Sequence, residues 1–366
     1  MLLFRKFSEI ILLYLSKYSR FFLNFVPPNP IEASIKVTDR CNSRCVTCNV
    51  WKTKPKNELT TQEIEGILSQ LKEIGIKIIG FTGGECLLRD DIGELIEKAK
   101  KILGAIVYID TNGILLEKKA EILLEKGVDF INISLDGIGK TDERIRGVPG
   151  HYEMVIKGIK LLKKLAKEKG RKIEINVGTT LVKSNLFEVP QLIELCKELG
   201  VTWSFNLLDT SLYFFKNIDT SNLIIEDEDS VDRIIDYLSQ INKKDTVVNF
   251  DHLSLEFARN YLKNKKPYFN CVMGYLRIFI NPSLDVYSGC WALPPVGNLK
   301  EKRLKEILKS KGYRERVKKM FDLNCPYCTC GYTISLKINH LPPTIIDATK
   351  SIWKYKKYSK FLKQFH

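Results

Sequence analysis

Three cysteines on one short segment are the first residues able to do chemistry: Cys41-Asn-Ser-Arg-Cys45-Val-Thr-Cys48. Thiolates spaced by four and three on a loop can each bind one iron of a [4Fe-4S] cubane and leave the fourth iron without a protein ligand. An open iron is a coordination site for a substrate or cofactor, as the open position of a catalytic metal site is. The competing reading is a zinc ion held by the three cysteines and one distant ligand. Position favours iron–sulfur chemistry, because the loop follows the first of a long series of strands, where catalytic loops belong.

Hydrophobic patterning supplies the elements that must hold this loop. Strands are predicted at Ala33–Thr38, Ile76–Thr82, Ala105–Thr111, Phe130–Leu135, Ile173–Thr179 and Val201–Leu207. Helices are predicted between them at Thr61–Glu73, Ile92–Ile102, Leu116–Glu125, Tyr152–Glu168 and Val189–Leu199. Gly75, Gly127 and Gly200 follow three of these helices as C-terminal stops. Short apolar strands alternating with helices call for a parallel sheet covered by helices. Pattern alone leaves a doubly wound sheet and a barrel both open. In either, active groups sit at the C-terminal ends of the strands. Residues 217–263 read as a helical bridge, and Tyr275 to Tyr287 as a hairpin turning at Asn281-Pro282-Ser283.

The C-x3-C-x2-C loop is the hallmark of the radical S-adenosylmethionine (SAM) superfamily, which the chain resembles over about residues 31–340. The resemblance implies an α/β fold: a partial (β/α)6 TIM-like barrel, a small C-terminal hairpin-plus-helix auxiliary cluster domain, and amphipathic terminal helices. The divisions expected are a basic amphipathic segment 1–30, the barrel 31–215, the bridge 216–265, the auxiliary domain 266–340 and a basic aromatic helix 341–366. Cys41, Cys45 and Cys48 would hold the SAM-cleaving [4Fe-4S] cluster.

Other motifs match the family position by position. In Phe81-Thr-Gly83-Gly84-Glu85 the glycines would let the backbone approach the methionine end of SAM, and Glu85 would meet its ammonium. Asn112 in Asp110-Thr-Asn112-Gly113 closes the third strand, while Ser134 and Asp136 in Ser134-Leu-Asp136-Gly137 match contacts to SAM and its ribose. Arg146, in the loop after the fourth strand, is a candidate carboxylate or ribose contact. Asn176, Thr180 and Val182 match positions near ribose and adenine. Two departures stand out. Thr47 replaces an aromatic, a role Trp51 could fill, and Cys86 stands where many relatives have proline. Cys86 reads as a small buried residue, with a substrate-facing thiol as the sharper alternative. Asn206 and Asp209 are substrate-contact candidates that local capping or turn formation would equally explain. His151, His252 and His340 show no ligand spacing.

The resemblance further implies that the reduced cluster passes an electron into SAM, giving a 5'-deoxyadenosyl radical that abstracts hydrogen from an unactivated carbon. A ferredoxin or flavodoxin is the implied reductant. A second cysteine group follows: Cys271 and Cys290 bracket the hairpin, and Cys325-Pro-Tyr-Cys328-Thr-Cys330 comes later. Four of these could close around one auxiliary [4Fe-4S] cluster, as in the shortened (twitch) form of the family's two-cluster SPASM domain. Cys328 and Cys330 are alternatives for the last ligand, and a structural zinc is the competing occupant. Cys196 lies on the apolar face of a helix and reads as packing.

Composition sets the remaining bounds. The chain has 366 residues, 44% hydrophobic and 28% charged, ordinary for a folded protein and incompatible with a disordered or collagenous one. No stretch of about 18 uncharged apolar residues exists, so no membrane-spanning helix is expected. Ten cysteines are too dilute for a disulfide scaffold, and no secretory cleavage signal precedes Pro27; a reducing cytoplasm is expected. The formal charge of +15 is concentrated at the ends: residues 1–26 carry +3 and residues 348–366 carry +6. There lysines and arginines interleave with aromatics from Phe4 to Phe25 and from Trp353 to Phe365. Such segments suit an anionic membrane surface on its inner face, or packing on the body; a nucleic-acid partner is not expected. A membrane-bound enzyme would act on a lipid, at an isoprenoid or glycerol carbon, or on a lipid-linked headgroup. The alternatives are peptide maturation, tRNA or small-metabolite modification, and a non-enzymatic cluster scaffold or electron carrier. Peptide maturation is disfavoured because residues 1–30 are too few for a peptide-recognition domain. A molybdenum-cofactor role is disfavoured by the missing glycine pair at the end of the chain, and cobalamin-dependent methylation by lack of room.

Overall fold

The computed structural model describes residues 29–53, 58–208, 219–242, 247–248, 250, 252–263 and 271–324. Both basic ends, Asp209 and the Cys325-Cys328-Cys330 group lie outside the described residues. Six strands alternate with helices as the apolar pattern requires: β1 Glu32–Lys36, β2 Ile78–Thr82, β3 Ile106–Thr111, β4 Phe130–Ser134, β5 Glu174–Leu181 and β6 Thr202–Leu207. The helices between them are α1 Thr61–Glu73, α2 Ile92–Leu103, α3 Leu116–Lys126, α4 Lys140–Arg146, α5 His151–Glu168 and α6 Val189–Leu199. Local chemistry sets their ends. Thr60 and Glu63 form a reciprocal capping box at the start of α1, and Gly127 and Gly200 take left-handed conformations after α3 and α6.

All six strands are parallel and pair in chain order, and the sheet does not close. One row of side chains on each strand is buried, among them Ile35, Phe81, Val107, Ile131, Val177 and Trp203. These pack in one core with the apolar stripes of the helices, such as Ile64, Ile67, Leu68 and Leu71 of α1. The opposite row is polar and partly exposed. This open face carries Glu32, Tyr108, Asp110, Asn132, Asn176, Ser204 and Asn206.

Two features depart from the sequence expectation. Residues 140–146, read as loop, form α4; Gly139 and Gly147, which bound it, both have positive φ. A helix of seven residues is too short for its periodicity to show. The hairpin, β7 Arg277–Ile280 and β8 Asp285–Tyr287, is present with its turn at Asn281, but β7 pairs in parallel with the free edge of β1. The hairpin thereby continues the barrel sheet, and a short β9, Gly297–Asn298, extends it to nine strands. The bridge contributes α7 Glu228–Asn242 and α8 His252–Leu262. A short helix, α9 Met273–Leu276, precedes β7, and α10 Leu304–Lys309 and α11 Lys311–Phe321 follow β9. Among the described residues no helix is long and apolar enough to cross a membrane.

Candidate active site

The three-cysteine loop leaves the C-terminal end of β1 and is held by backbone on both sides. Val37 N donates to Thr82 O (2.9 Å), while Arg44 N and Val46 N donate to the carbonyls of Arg146 and Ile145 (3.0 and 2.9 Å). Within the loop, Ser43 N and Val50 N donate to the sulfurs of Cys41 and Cys48, each at 3.4 Å. Hydrogen bonds of this kind favour negative charge on a cluster's sulfurs. Among the described residues no three Cys, His, Asp or Glu side chains converge as ligands of a single ion. A cubane has no such need, since each of its irons takes a separate thiolate; this donor set fits a cluster better than a zinc ion. Burial pushes the Cys45 thiol up to about 12 and raises those of Cys41 and Cys48, and Arg146 opposes each rise. Buried thiols of this kind bind metal with release of their protons.

Arg146 is the cation of the site. Nη1 donates to Asp136 Oδ2 (3.1 Å), the two side chains being 11% and 1% exposed. Among the described residues its buried Nε has no hydrogen-bond partner. Burial opposes its charge, but Cys45, Asp136 and Asp142 hold its pKa above the ordinary value. An unpaired donor beside three thiols fits an anion: the cluster itself, or a carboxylate of its ligand.

The glycine pair lies against the entry to this loop. A Cβ on Gly84 would stand 2.3 Å from Arg40 O, and one on Gly83 2.7 Å from Thr38 O. These contacts allow Gly84 N and Glu85 N to donate to Thr38 O (2.9 Å) and Arg40 O (2.7 Å). Gly84→Ala is therefore expected to cost about 1–3 kcal/mol, since the clash is with backbone. It should also loosen the loop, so urea unfolding of the metal-free chain and iron content after reconstitution should fall together.

Glu85 is 1% exposed. Oε1 accepts from Leu87 N (2.9 Å) and the Thr111 hydroxyl (2.7 Å), and Oε2 from Asn112 N (2.6 Å). The ammonium contact implied for Glu85 would have to share these bonds. Asn112 binds the cluster loop directly, Nδ2 donating to Asn42 Oδ1 (2.7 Å) and Ser43 Oγ (3.0 Å). His151, to which the sequence assigned nothing, completes the lattice. It is fully buried, with Nδ1 2.5 Å from Asp142 Oδ2 and Nε2 2.9 Å from Asn112 O. Asp142 in turn accepts from Asp136 N (2.8 Å). One continuous network thus ties the cluster loop to the ends of β3 and β4. No ligand spacing could have revealed His151, because its partners lie 9 and 39 positions away.

The remaining candidates divide. Asp136 Oδ1 accepts from Thr180 N (2.6 Å), and Ser134 pairs with Gly178, so both lie where β4 and β5 end. Trp51 donates to Cys45 O (3.1 Å), with Arg44 and Lys52 near its ring at 5.3 and 5.0 Å. Asn206 is exposed on the open face opposite Thr180. Val182 is fully buried with Ile145 and Leu208, a packing position that leaves no surface for a ligand. Cys86 likewise belongs to the core: it is fully buried, its sulfur 3.4 Å from Asp110 O, and burial raises its thiol pKa well above the ordinary value. That placement matches the small buried residue of the two readings. Asn176 joins a side-chain ladder on the open face. Its Nδ2 donates to Asn132 Oδ1 and Ser204 Oγ, both at 2.7 Å, and Asn132 Nδ2 lies 3.3 Å from Asp110 Oδ1. Asp110 and Asn132 were legible as polar residues within apolar strands, a signal the motif reading passed over.

Comparison with known proteins agrees with this geometry. The sequence model of the radical SAM superfamily matches residues 35–196. Pre-heme d1 synthase of Dinoroseobacter shibae is 32% identical over 168 residues, 45% of this chain and 40% of that protein; the chain thus spans under half of that relative's length. A probable GTP 3',8-cyclase of Methanococcus maripaludis is 30% identical over 240 residues, 62% of this chain and 74% of that protein. The solved structure of Streptococcus suis SuiB bound to S-adenosylmethionine shares the fold, with a TM-score of 0.60 at 21% identity, over 78% of this chain and 66% of SuiB. A cysteine loop at the head of β1, on a sheet shared with SuiB and in a sequence this close to the cyclase, leaves one assignment: the chain belongs to the radical SAM superfamily of enzymes.

Proposed function

We propose that this protein is a radical SAM enzyme whose cluster is held by Cys41, Cys45 and Cys48 and whose substrate lies on the open face of the sheet. Held by these three cysteines, a reduced cluster would supply the electron for cleavage of SAM to methionine and a 5'-deoxyadenosyl radical able to take hydrogen from carbon. The chain's own part is to orient and to shield. Arg146 and the N–H groups of Ser43 and Val50 favour negative charge at the cluster loop. The Glu85–Asn112–His151–Asp142 network fixes the strand ends against that loop. The observation that carries the reading is the unpartnered, buried Nε of Arg146 beside three thiols. Anaerobically reconstituted full-length protein, given SAM and dithionite, should release 5'-deoxyadenosine and methionine in equal amounts. Iron-loaded protein that binds SAM yet releases neither would sink the reading. The physiological donor we propose is a ferredoxin or flavodoxin.

The proposal includes an auxiliary cluster. Cys271 and Cys290 are buried, and a Cβ on Gly289 would lie 2.6 Å from Met273 O, so the segments bearing the two cysteines touch. The end of α11 reaches the same place, with Ser288 Oγ 3.3 Å from Met320 Sδ and the Tyr313 hydroxyl 2.8 Å from Gly274 O. Cys325 follows this helix within a few residues. Those contacts support ligation by Cys271, Cys290, Cys325 and either Cys328 or Cys330.

For the substrate, the open face favours a polar molecule. The lipid expectation rested on the basic ends, whose attachment to an anionic membrane is carried by their sequence alone. A hydrocarbon laid on the Asp110–Asn132–Asn176 ladder would desolvate its polar groups without replacing their bonds. The name of one relative, a probable GTP 3',8-cyclase, points to a polar substrate in the same way.

A further inference from the structure

On the reading just given, the chemistry of the substrate is written on the open face. We infer that Asp110 anchors the substrate there, and that the substrate therefore presents a protonated amine or other cationic N–H group beside the carbon that reacts.

The ladder has a direction. The Thr202 hydroxyl lies 3.0 Å from Asn176 Oδ1, Asn176 Nδ2 donates to both Asn132 Oδ1 and Ser204 Oγ, and Asn132 Nδ2 approaches Asp110. From Asn176 one amide donor runs through Asn132 to Asp110, the terminal acceptor of that run, while the other Asn176 bond, to Ser204, points away from it. Yet Asp110 receives that one long bond on Oδ1, and among the described residues its Oδ2 has no hydrogen-bond partner and its carboxylate no ion pair. The adjacent carboxylate differs. Glu32 accepts from the Tyr108 hydroxyl (2.7 Å) and pairs with Arg277 (2.7 Å), so its charge is met; Arg277, whose buried Nε has no hydrogen-bond partner among the described residues, acts on Asp110 through its charge without pairing with it.

Location joins this acceptor to the reaction. Asp110 directly precedes Thr111 and Asn112, which bind Glu85, and its carbonyl faces Cys86. A group bonded to Asp110 therefore lies at the C-terminal end of β3, beside the proposed cofactor residues. An anionic group would meet the carboxylates of Asp110 and Glu32, with Arg277 already paired to Glu32; a cationic nitrogen supplies the ion pair that Asp110 lacks among the described residues.

Burial lifts the Asp110 carboxyl to about 6, with the Asn132 bond and Arg277 opposing and Glu32 adding to the rise. The other titratable groups facing it are Tyr108 and Cys86, ordinarily neutral at pH 7 and held more firmly so by burial. The anchor is therefore charged at pH 7 and discharged in mild acid.

The test uses reconstituted full-length enzyme with SAM, dithionite and a deuterated cell extract. The extract is divided into a lipid fraction, an aqueous fraction retained by a cation exchanger, and an aqueous fraction that passes through. Deuterium in 5'-deoxyadenosine should come from the retained fraction. Asp110→Asn should lower the labelled share of 5'-deoxyadenosine at least tenfold. In the wild type that share should fall as pH drops through about 6, and Asn132→Ser, which removes the one bond holding the carboxylate, should move the fall to higher pH. Label from the lipid or unretained fraction, label from none, or an unchanged share in Asp110→Asn overturns the proposal. A second readout needs no turnover. Because the folded pKa is raised, the wild type should be stabilised relative to Asp110→Asn below about pH 4 and should lose that advantage as pH rises through about 6. A melting-temperature difference that is flat with pH also overturns the proposal. Absence of 5'-deoxyadenosine in every variant strikes the parent reading instead, and the melting curves still decide the state of Asp110.

Discussion

Cys45→Ala is expected to abolish SAM cleavage while leaving the protein folded. Cys45 is 7% exposed and its side chain is small, so replacement by alanine removes one sulfur and opens little volume. The loop's other supports are backbone bonds: Arg44 N to Arg146 O, Val46 N to Ile145 O and Cys48 N to Cys45 O. All survive the change. Loss of an outer-shell partner alone typically lowers metal affinity about 10–100-fold, and loss of a direct ligand should exceed that. The expected result is an on the order of hundredfold or greater fall in 5'-deoxyadenosine formation, with a melting temperature for the metal-free chain close to the wild type. Cys196→Ala is the matched control, since Cys196 is fully buried on α6 and away from the site; it should keep its iron. Iron that remains in Cys45→Ala would then belong to the second cysteine group. A variant that retained both SAM cleavage and the full iron content would remove Cys45 from the site.

The sequence carried the parts of this fold that are written locally. The boundaries of α1 and α6 were legible to the residue, because a capping threonine precedes Ile64, Ile67, Leu68 and Leu71 in one case and Gly200 follows Leu199 in the other. The cysteine loop was legible because its ligands are neighbours in the chain. What stayed hidden depends on distant pairing. The apolar run of β7 shows a strand but not that its partner is β1, about 245 residues earlier and set by the Arg277–Glu32 pairing. The same applies to His151 and to the open-face ladder, whose bonds join β3, β4, β5 and β6. Val182 illustrates the opposite case: its motif position was clear, but motif position does not say which way a side chain turns, and here the valine sits with Ile145 and Leu208 in the core.

Arg146→Met tests the electrostatics of the site and should be the most destabilising single change proposed. Asp136 is 1% exposed, and Arg146 is its cationic partner at 3.1 Å. Removing one member of a buried pair strands the other, which typically costs about 3–5 kcal/mol. Methionine fills much of the arginine stem's volume, and the backbone bond from Arg44 N to Arg146 O does not depend on the side chain; the loss is therefore one of charge more than packing. Two further measurements separate those terms. Arg146→Met with Asp136→Asn should recover more than half of the lost stability, because the stranded carboxylate is gone. Arg146→Lys keeps the charge without the planar fork and should preserve the cluster's midpoint potential while raising the KM for SAM. In Arg146→Met the potential should fall by roughly 60 mV or more, about a tenfold change in a one-electron equilibrium, because a cation beside the cluster favours the reduced form. Urea unfolding reads the first effect and an EPR-monitored redox titration the second. An unchanged potential with lowered stability would confine Arg146 to holding Asp136, and would move the anion-binding role to the backbone N–H groups of Ser43 and Val50.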